Sequence, residues 1–136
     1  TILRQNSNLK SLDLANTALC GLDPYGHGEF HSRSFSAISN ALIAPNGPGA
    51  SLETLNLSSN FMDYQAVGIL GEALPCCQNL TSLNLMFNQI GHLGVELLSH
   101  SLTPSLKHLD LSNNDIGAAG AESLGPLIGD PRMTSL

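Results

Sequence analysis

Apolar positions recur along this chain in one fixed figure. Residues 106 to 116 read LKHLDLSNNDI, which places Leu106, Leu109, Leu111, Asn114 and Ile116 in the pattern L-x-x-L-x-L-x-x-N-x-I. The same figure appears at Leu80, Leu83, Leu85, Asn88 and Ile90, and at Leu52, Leu55, Leu57, Asn60 and Met62. A looser copy runs through Leu9, Leu12, Leu14, Thr17 and Leu19. Alternation at Leu109 and Leu111 predicts a short strand with those side chains buried and His108, Asp110 and Ser112 on the opposite face. After each figure the apolar residues step by four. They are Ala66, Leu70 and Leu74, then Gly94, Leu98 and Leu102, then Gly120, Leu124 and Ile128. That spacing holds side chains on one face of a helix. The small residue at each first step is expected to let the helix pass close to the strand layer. Pro75, Pro104 and Pro131 mark where these helices stop, and Pro126 predicts a shortened or kinked helix in its own unit.

The units begin at Leu9, Leu52, Leu80, Leu106 and Met133, spaced 43, 28, 26 and 27 residues apart. The chain therefore divides into units 9–51, 52–79, 80–105 and 106–132, with partial units at 1–8 and 133–136. Neither end carries a capping element, so the expectation is a piece of a longer array. The first unit is long because residues 21–35 (GLDPYGHGEFHSRSF) precede its helix and 44–50 (APNGPGA) follow it. Their Pro and Gly density predicts loops, and loop insertions in repeat proteins often choose the partner.

Taken with the 26 to 28 residue spacing, the four copies resemble the ribonuclease-inhibitor-like class of leucine-rich repeat proteins. That class includes ribonuclease inhibitors, Ran GTPase-activating proteins, NOD-like receptor repeat domains, tropomodulins and leucine-rich subunits of ciliary complexes. The resemblance implies an α/β solenoid, a horseshoe with parallel strands on the concave face and helices on the convex face. It implies little about function, because these proteins share the repeat and not the activity. Thr17 in place of Asn, and the long first unit, are the departures.

The pattern assigns roles to the remaining residues. Thr17, Asn60, Asn88 and Asn114 fall where the chain leaves each strand, and their side chains are expected to satisfy backbone groups there as a structural ladder. The concave face is the candidate partner-binding surface, with Asp13, Thr54, Asn56, Ser58, Asn84, Met86, Phe87, His108 and Asp110 on it or at its rim. Met86 and Phe87 stand out because their counterparts are Ser58-Ser59 and Ser112-Asn113. An exposed apolar pair on a polar face marks a contact more strongly than a charge does, unless Phe87 folds over the strand edge and packs locally. Tyr25, His27 and Phe30 of the inserted loop are a second candidate partner surface, and Phe35 either joins them or fastens the loop to the frame. His27, Glu29 and His31 lack the spacing of a helical zinc motif. His92, Glu96 and His100 recur every fourth residue, as both a metal site and a solvated helix face do. No metal and no cofactor is assigned.

Composition narrows the function. Lys and Arg number five against eleven Asp and Glu, a net charge of −6. That balance lacks the basic stripe of a nucleic-acid binder and the polybasic cluster of a membrane-surface protein. No apolar run is long enough to insert in a bilayer. Cys20, Cys76 and Cys77 are an odd set and a poor disulfide framework, which suggests reduced thiols in a cytoplasmic protein. The sequons beginning at Asn56 and Asn79 point weakly the other way. No Gly-rich phosphate loop, serine nucleophile elbow or paired carboxylate motif is present. The resulting expectation is a non-catalytic protein–protein interaction module, a scaffold or subunit of a larger cytoplasmic assembly. A ciliary or cytoskeletal setting comes from analogy. The alternatives are a regulator of an enzyme, such as a GTPase-activating protein or nuclease inhibitor, and the sensor domain of a NOD-like immune receptor.

Overall fold

The structure, a computed structural model, describes residues 3–22, 25, 27–29 and 31–136. Four three-residue strands, β1 (Ser11–Asp13), β2 (Thr54–Asn56), β3 (Ser82–Asn84) and β4 (His108–Asp110), form one parallel sheet in sequence order. Parallel neighbours need a crossover. Helices α1 (Arg33–Ile43), α2 (Tyr64–Ala73) and α3 (Gly91–Ser99) supply the three crossovers. Helices α4 (Gly117–Ser123) and α5 (Gly125–Ile128) follow β4. Each helix from α1 to α4 packs on the next, so the chain is an α/β solenoid with strands on one face and helices on the other.

The leucine figure builds the core by stacking like on like. Register sets Leu12, Leu55, Leu83 and Leu109 side by side. Leu52, Leu80 and Leu106, then Leu57, Leu85 and Leu111, are buried in the same sequence of layers, as are Met62 and Ile90. Leu9, Leu12 and Leu14 of the first unit are only partly buried. Phe35, Ile38 and Leu42 bring α1 into the core. Phe35 is thus a fastener of the inserted segment and not a free contact. At the far end Ser135 bridges His108 in parallel, and Leu109 N–H donates to Ser135 O at 3.0 Å. Residues 133–136 therefore begin to add to the sheet beside β4.

Two expectations are corrected. Ile128 does not complete a buried step: it is 67% exposed. Pro126 cannot donate to the helix ladder, so α4 ends at Ser123 and the chain resumes as the short α5 at Gly125. The small first-step residues also serve a different neighbour. A Cβ at Gly94 would overlap Ile90 Cγ2 and sit 3.3 Å from Tyr64 Cα, and one at Gly120 would overlap Ile116 Cγ2 and sit 3.2 Å from His92 Cα. Close approach is to the first turn of the preceding helix, not to the strand layer.

The stack predicts a position-dependent cost. Leu83→Ala, at a site 1% exposed in the middle of the array, should lower unfolding free energy by about 3 kcal/mol. Leu12→Ala, at the open edge, should cost under half as much in the same urea titration. Equal losses would mean that the layers do not close progressively over one another.

Candidate protein-binding surface and the ladders beneath it

Two hydrogen-bond ladders shape the surface. The first is buried. Asn88 Nδ2 donates to Leu85 O (2.8 Å), Met86 O (3.3 Å) and Leu57 O (3.2 Å), while its Oδ1 accepts from Asn60 N (2.9 Å) and Met62 N (3.0 Å). Asn60 repeats this toward the first unit, donating to Leu57 O, Ser58 O and Leu14 O and accepting from Thr17 N and Leu19 N. Asn114 donates to Leu111 O, Ser112 O and Leu85 O and accepts from Ile90 N. Each amide thus binds its own unit and the one before. Thr17 is exposed and reaches only Leu14 O (2.7 Å) and Asn60 Oδ1 (3.3 Å) through its hydroxyl.

The second ladder lies on the concave face. Asp13, Asn56, Asn84 and Asp110 pair in one column across the sheet. Their Oδ1 atoms accept from the backbone N–H two residues on, at Ala15 (2.9 Å), Ser58 (3.1 Å), Met86 (3.0 Å) and Ser112 (2.9 Å). These are Asx turns that end each strand. The column therefore carries a scaffold duty that the leucine spacing did not reveal, although an Asp or Asn at every strand end was a readable signal. The neighbouring column, Ser11, Thr54, Ser82 and His108, has no such repeated duty. Thr54 Oγ1 donates to Ser11 Oγ at 2.7 Å, and His108 lies within hydrogen-bond distance of Thr134 Oγ1.

Past the strands the pairing continues to the rim. Asn16 N donates to Ser58 O, Ser59 N to Met86 O and Phe87 N to Ser112 O, each at 2.9 Å. There the backbone turns left-handed at Asn16 (φ 52°), Ser59 (57°), Phe87 (54°) and Asn113 (56°). Ala18, Phe61 and Asp115 do the same two residues later. Asn and Asp tolerate this region, whereas a bulky aromatic there is an outlier. Phe87 is 54% exposed and does not fold away over the strand edge. With Phe61, Asn16, Ser59, Gln89, Asn113 and Asp115 it lines a groove of about 560 Å³. Met86 beside it is part-buried. Phe61, Gln89 and Asp115 were missed as surface candidates. Each directly follows a ladder Asn, and an aromatic at Phe61 where the sister units have Ala18, Gln89 and Asp115 was the available sign.

The inserted loop is less organised around a site. Tyr25 is 84% exposed, with its ring 6.2 Å from the His27 ring. Leu22 bridges Gly28, and His31 N donates to Cys20 O at 2.9 Å. Phe30 lies outside the described residues. His92 and Glu96 are exposed on α3, and His100 is exposed just past its end. Among the described residues no group of three His, Cys, Asp or Glu is placed to hold a metal ion.

Burial pushes the Cys20 thiol up to about 12, with Asp63 adding to the effect, and pushes Cys77 up to about 11, with Cys76 adding. Both are unreactive as nucleophiles. Cys76 is exposed.

A helical return leg, a leucine-lined strand and a buried Asn ladder, repeated in register, define a leucine-rich repeat, and the chain belongs to the leucine-rich repeat family. A family profile described as "Leucine Rich repeat" matches residues 76–99 and 104–125. The chain is 32% identical over 124 residues to the Tonsoku-like protein of Mus musculus, a match covering 90% of this chain and 8% of that protein. It is 33% identical over 76 residues to Leucine-rich repeat-containing protein 45 of Gallus gallus, covering 54% of this chain and 11% of that one. The chain thus matches about a tenth or less of the length of these curated relatives. Among solved structures, Leiomodin-1 Actin-Binding Site 2 (ABS2) superposes with a TM-score of 0.72 at 12% identity, over 99% of this chain and 73% of that one. At that identity the likeness is one of fold.

Three measurements test the site's chemistry. Asn88→Ala removes five hydrogen bonds and leaves the buried N–H groups of Asn60 and Met62 without an acceptor, while Leu57 O, Leu85 O and Met86 O keep Asn60 Nδ2, Asn114 Nδ2 and Ser59 N. It should lower unfolding free energy by about 2 kcal/mol or more, whereas Thr17→Ala, at an exposed rung, should cost under about 1 kcal/mol. An unchanged midpoint for Asn88→Ala would remove the ladder's energetic role. Ellman's reagent at about pH 8 should titrate one thiol in the folded chain and all three in denaturant. Because folding favours the protonated thiols, stability should also fall as pH rises above about 9 toward their raised values.

Proposed function

We propose that this chain is a non-catalytic protein–protein interaction module that serves as a scaffold or subunit of a larger cytoplasmic assembly. The observation that supports it best is the register of the sheet. Four strands present aligned side-chain columns on a frame that is already hydrogen-bonded from strand to rim. A preformed surface of this kind binds with little ordering cost. Among the described residues no helix is long and apolar enough to cross a membrane. The shared fold with a domain named for actin binding favours a cytoskeletal setting over the other assemblies, and makes actin the first named protein to assay.

Thr54 suits the test because it is exposed, central to the concave face and free of the Asx column. Thr54→Arg should leave the unfolding midpoint within about 0.5 kcal/mol of the parent. It should also remove partners from a cross-linked pull-down, and from actin cosedimentation if actin is the partner. Full recovery of every partner by the variant would sink the concave-face reading.

A further inference from the structure

We infer that the rim groove between Phe61 and Phe87 is a docking site for a short extended segment of a partner protein, one that carries a large apolar side chain flanked by lysine or arginine. The inference rests on the reading of the chain as a protein-binding module and specifies the partner's chemistry.

The apolar part follows from where the aromatics stand. The chain has four phenylalanines, and two of them occupy left-handed positions at this rim. Asn16, Ser59 and Asn113 fill the same register as Phe87, and Ala18, Gln89 and Asp115 the register of Phe61. The frame therefore accepts small or polar residues here. Phe87 instead holds a half-exposed ring in a backbone conformation that disfavours it, without burying that ring in the core. An exposed aromatic beside a second, partly buried one is a ready anchor for an apolar side chain. The groove volume, about 560 Å³, is that of a cleft that takes a few residues or a small ligand.

The basic part follows from charge. Among the lining residues Asp115 alone is charged, and it is exposed. None of the chain's five Lys and Arg residues lines the groove. Lys10 and Lys107 directly precede β1 and β4, at the amino ends of the strands, while the groove opens at the carboxyl ends. Lys10 is moreover paired with Glu53 at 2.7 Å. A cationic flank is thus attracted and an acidic one repelled, and neither a nucleic-acid backbone nor an anionic membrane fits that sign. Asn16, Ser59, Gln89 and Asn113 offer amide and hydroxyl groups around the two rings. Such groups suit the donors and acceptors of an extended peptide backbone, which selects a chain over a compact apolar ligand.

The test uses three fluorescein-labelled heptapeptides of equal length: basic-apolar Gly-Lys-Leu-Phe-Lys-Ser-Gly, acidic-apolar Gly-Glu-Leu-Phe-Glu-Ser-Gly and basic-polar Gly-Lys-Ser-Asn-Lys-Ser-Gly. Anisotropy titrations should rank the first at least about tenfold tighter than either other. Amide shifts in the labelled protein should centre on Phe61, Phe87 and Asp115. Phe87→Ser, which installs the residue the second unit carries, should weaken binding about tenfold while leaving the melting temperature unchanged or raised. Asp115→Asn should weaken it several-fold and reduce its salt dependence. Equal affinity for the three peptides, no binding at about 1 mM, or shifts centred away from the groove would each overturn the proposal. The outcomes separate from those at Thr54. Loss of partners with Thr54→Arg alongside no peptide binding leaves the module and removes the groove. Peptide binding that Phe87→Ser abolishes, with Thr54→Arg neutral, leaves the groove and removes the concave face.

Discussion

Three-residue strands cannot hold a parallel sheet together by themselves. Each makes few ladder bonds, and the chain must then bend away while the next unit buries the bend. The backbone groups at that bend would be cut off from water and unpaired. A carboxamide solves this because it carries donors and an acceptor on one short side chain. Asn60, Asn88 and Asn114 use both ends, donating to carbonyls of two units and accepting from the earlier one. An aspartate would lose the donors, and a longer glutamine would not seat them at the same distance. The leucine stack supplies most of the burial, but these amides make each unit's bend depend on its neighbour. That dependence is the nearest-neighbour coupling from which a linear array draws its stability.

The same logic constrains the face where binding is sought. A strand that ends after three residues needs an acceptor for the next free N–H, and Asp13, Asn56, Asn84 and Asp110 provide it. Only an acceptor is needed there, which is why Asp and Asn alternate freely in this column while the buried ladder keeps Asn in three of its four rungs. The mild acidity of the concave face is therefore partly a by-product of strand termination. Freedom to encode a partner lies more in Ser11, Thr54, Ser82 and His108, and in the rim positions that follow.

Much of this architecture was legible from spacing. Leucine alternation located the strands, and the four-residue steps located the helices, because both follow from which side chains must be buried. What escaped was set by neighbours and not by local residues. Nothing in Phe87 or Phe61 favours a left-handed backbone; the conformation recurs at the same place in each unit, and at Asn16, Ser59 and Phe87 it accompanies an N–H bond to the adjacent rim. Gly94 and Gly120 are small because of the helix before them, a contact between units that a single unit's pattern does not contain. Ile128 followed the helical step but lost its helix to Pro126, where a local rule outweighed the repeat.

These residues differ in what they say about function. Where a residue conforms to the repeat, the frame accounts for it, and it says nothing about a partner. Where a residue departs from the repeat and gains burial, as Phe35 does in α1, packing accounts for the departure. Phe87 departs, remains exposed and sits against its backbone preference, so neither account covers it. Proteins retain strained or exposed groups of this kind where function requires them and the surrounding structure can hold them. A rigid, repeated frame makes that reasoning sharper than it would be in an irregular fold, since three sister positions show what the frame itself accepts.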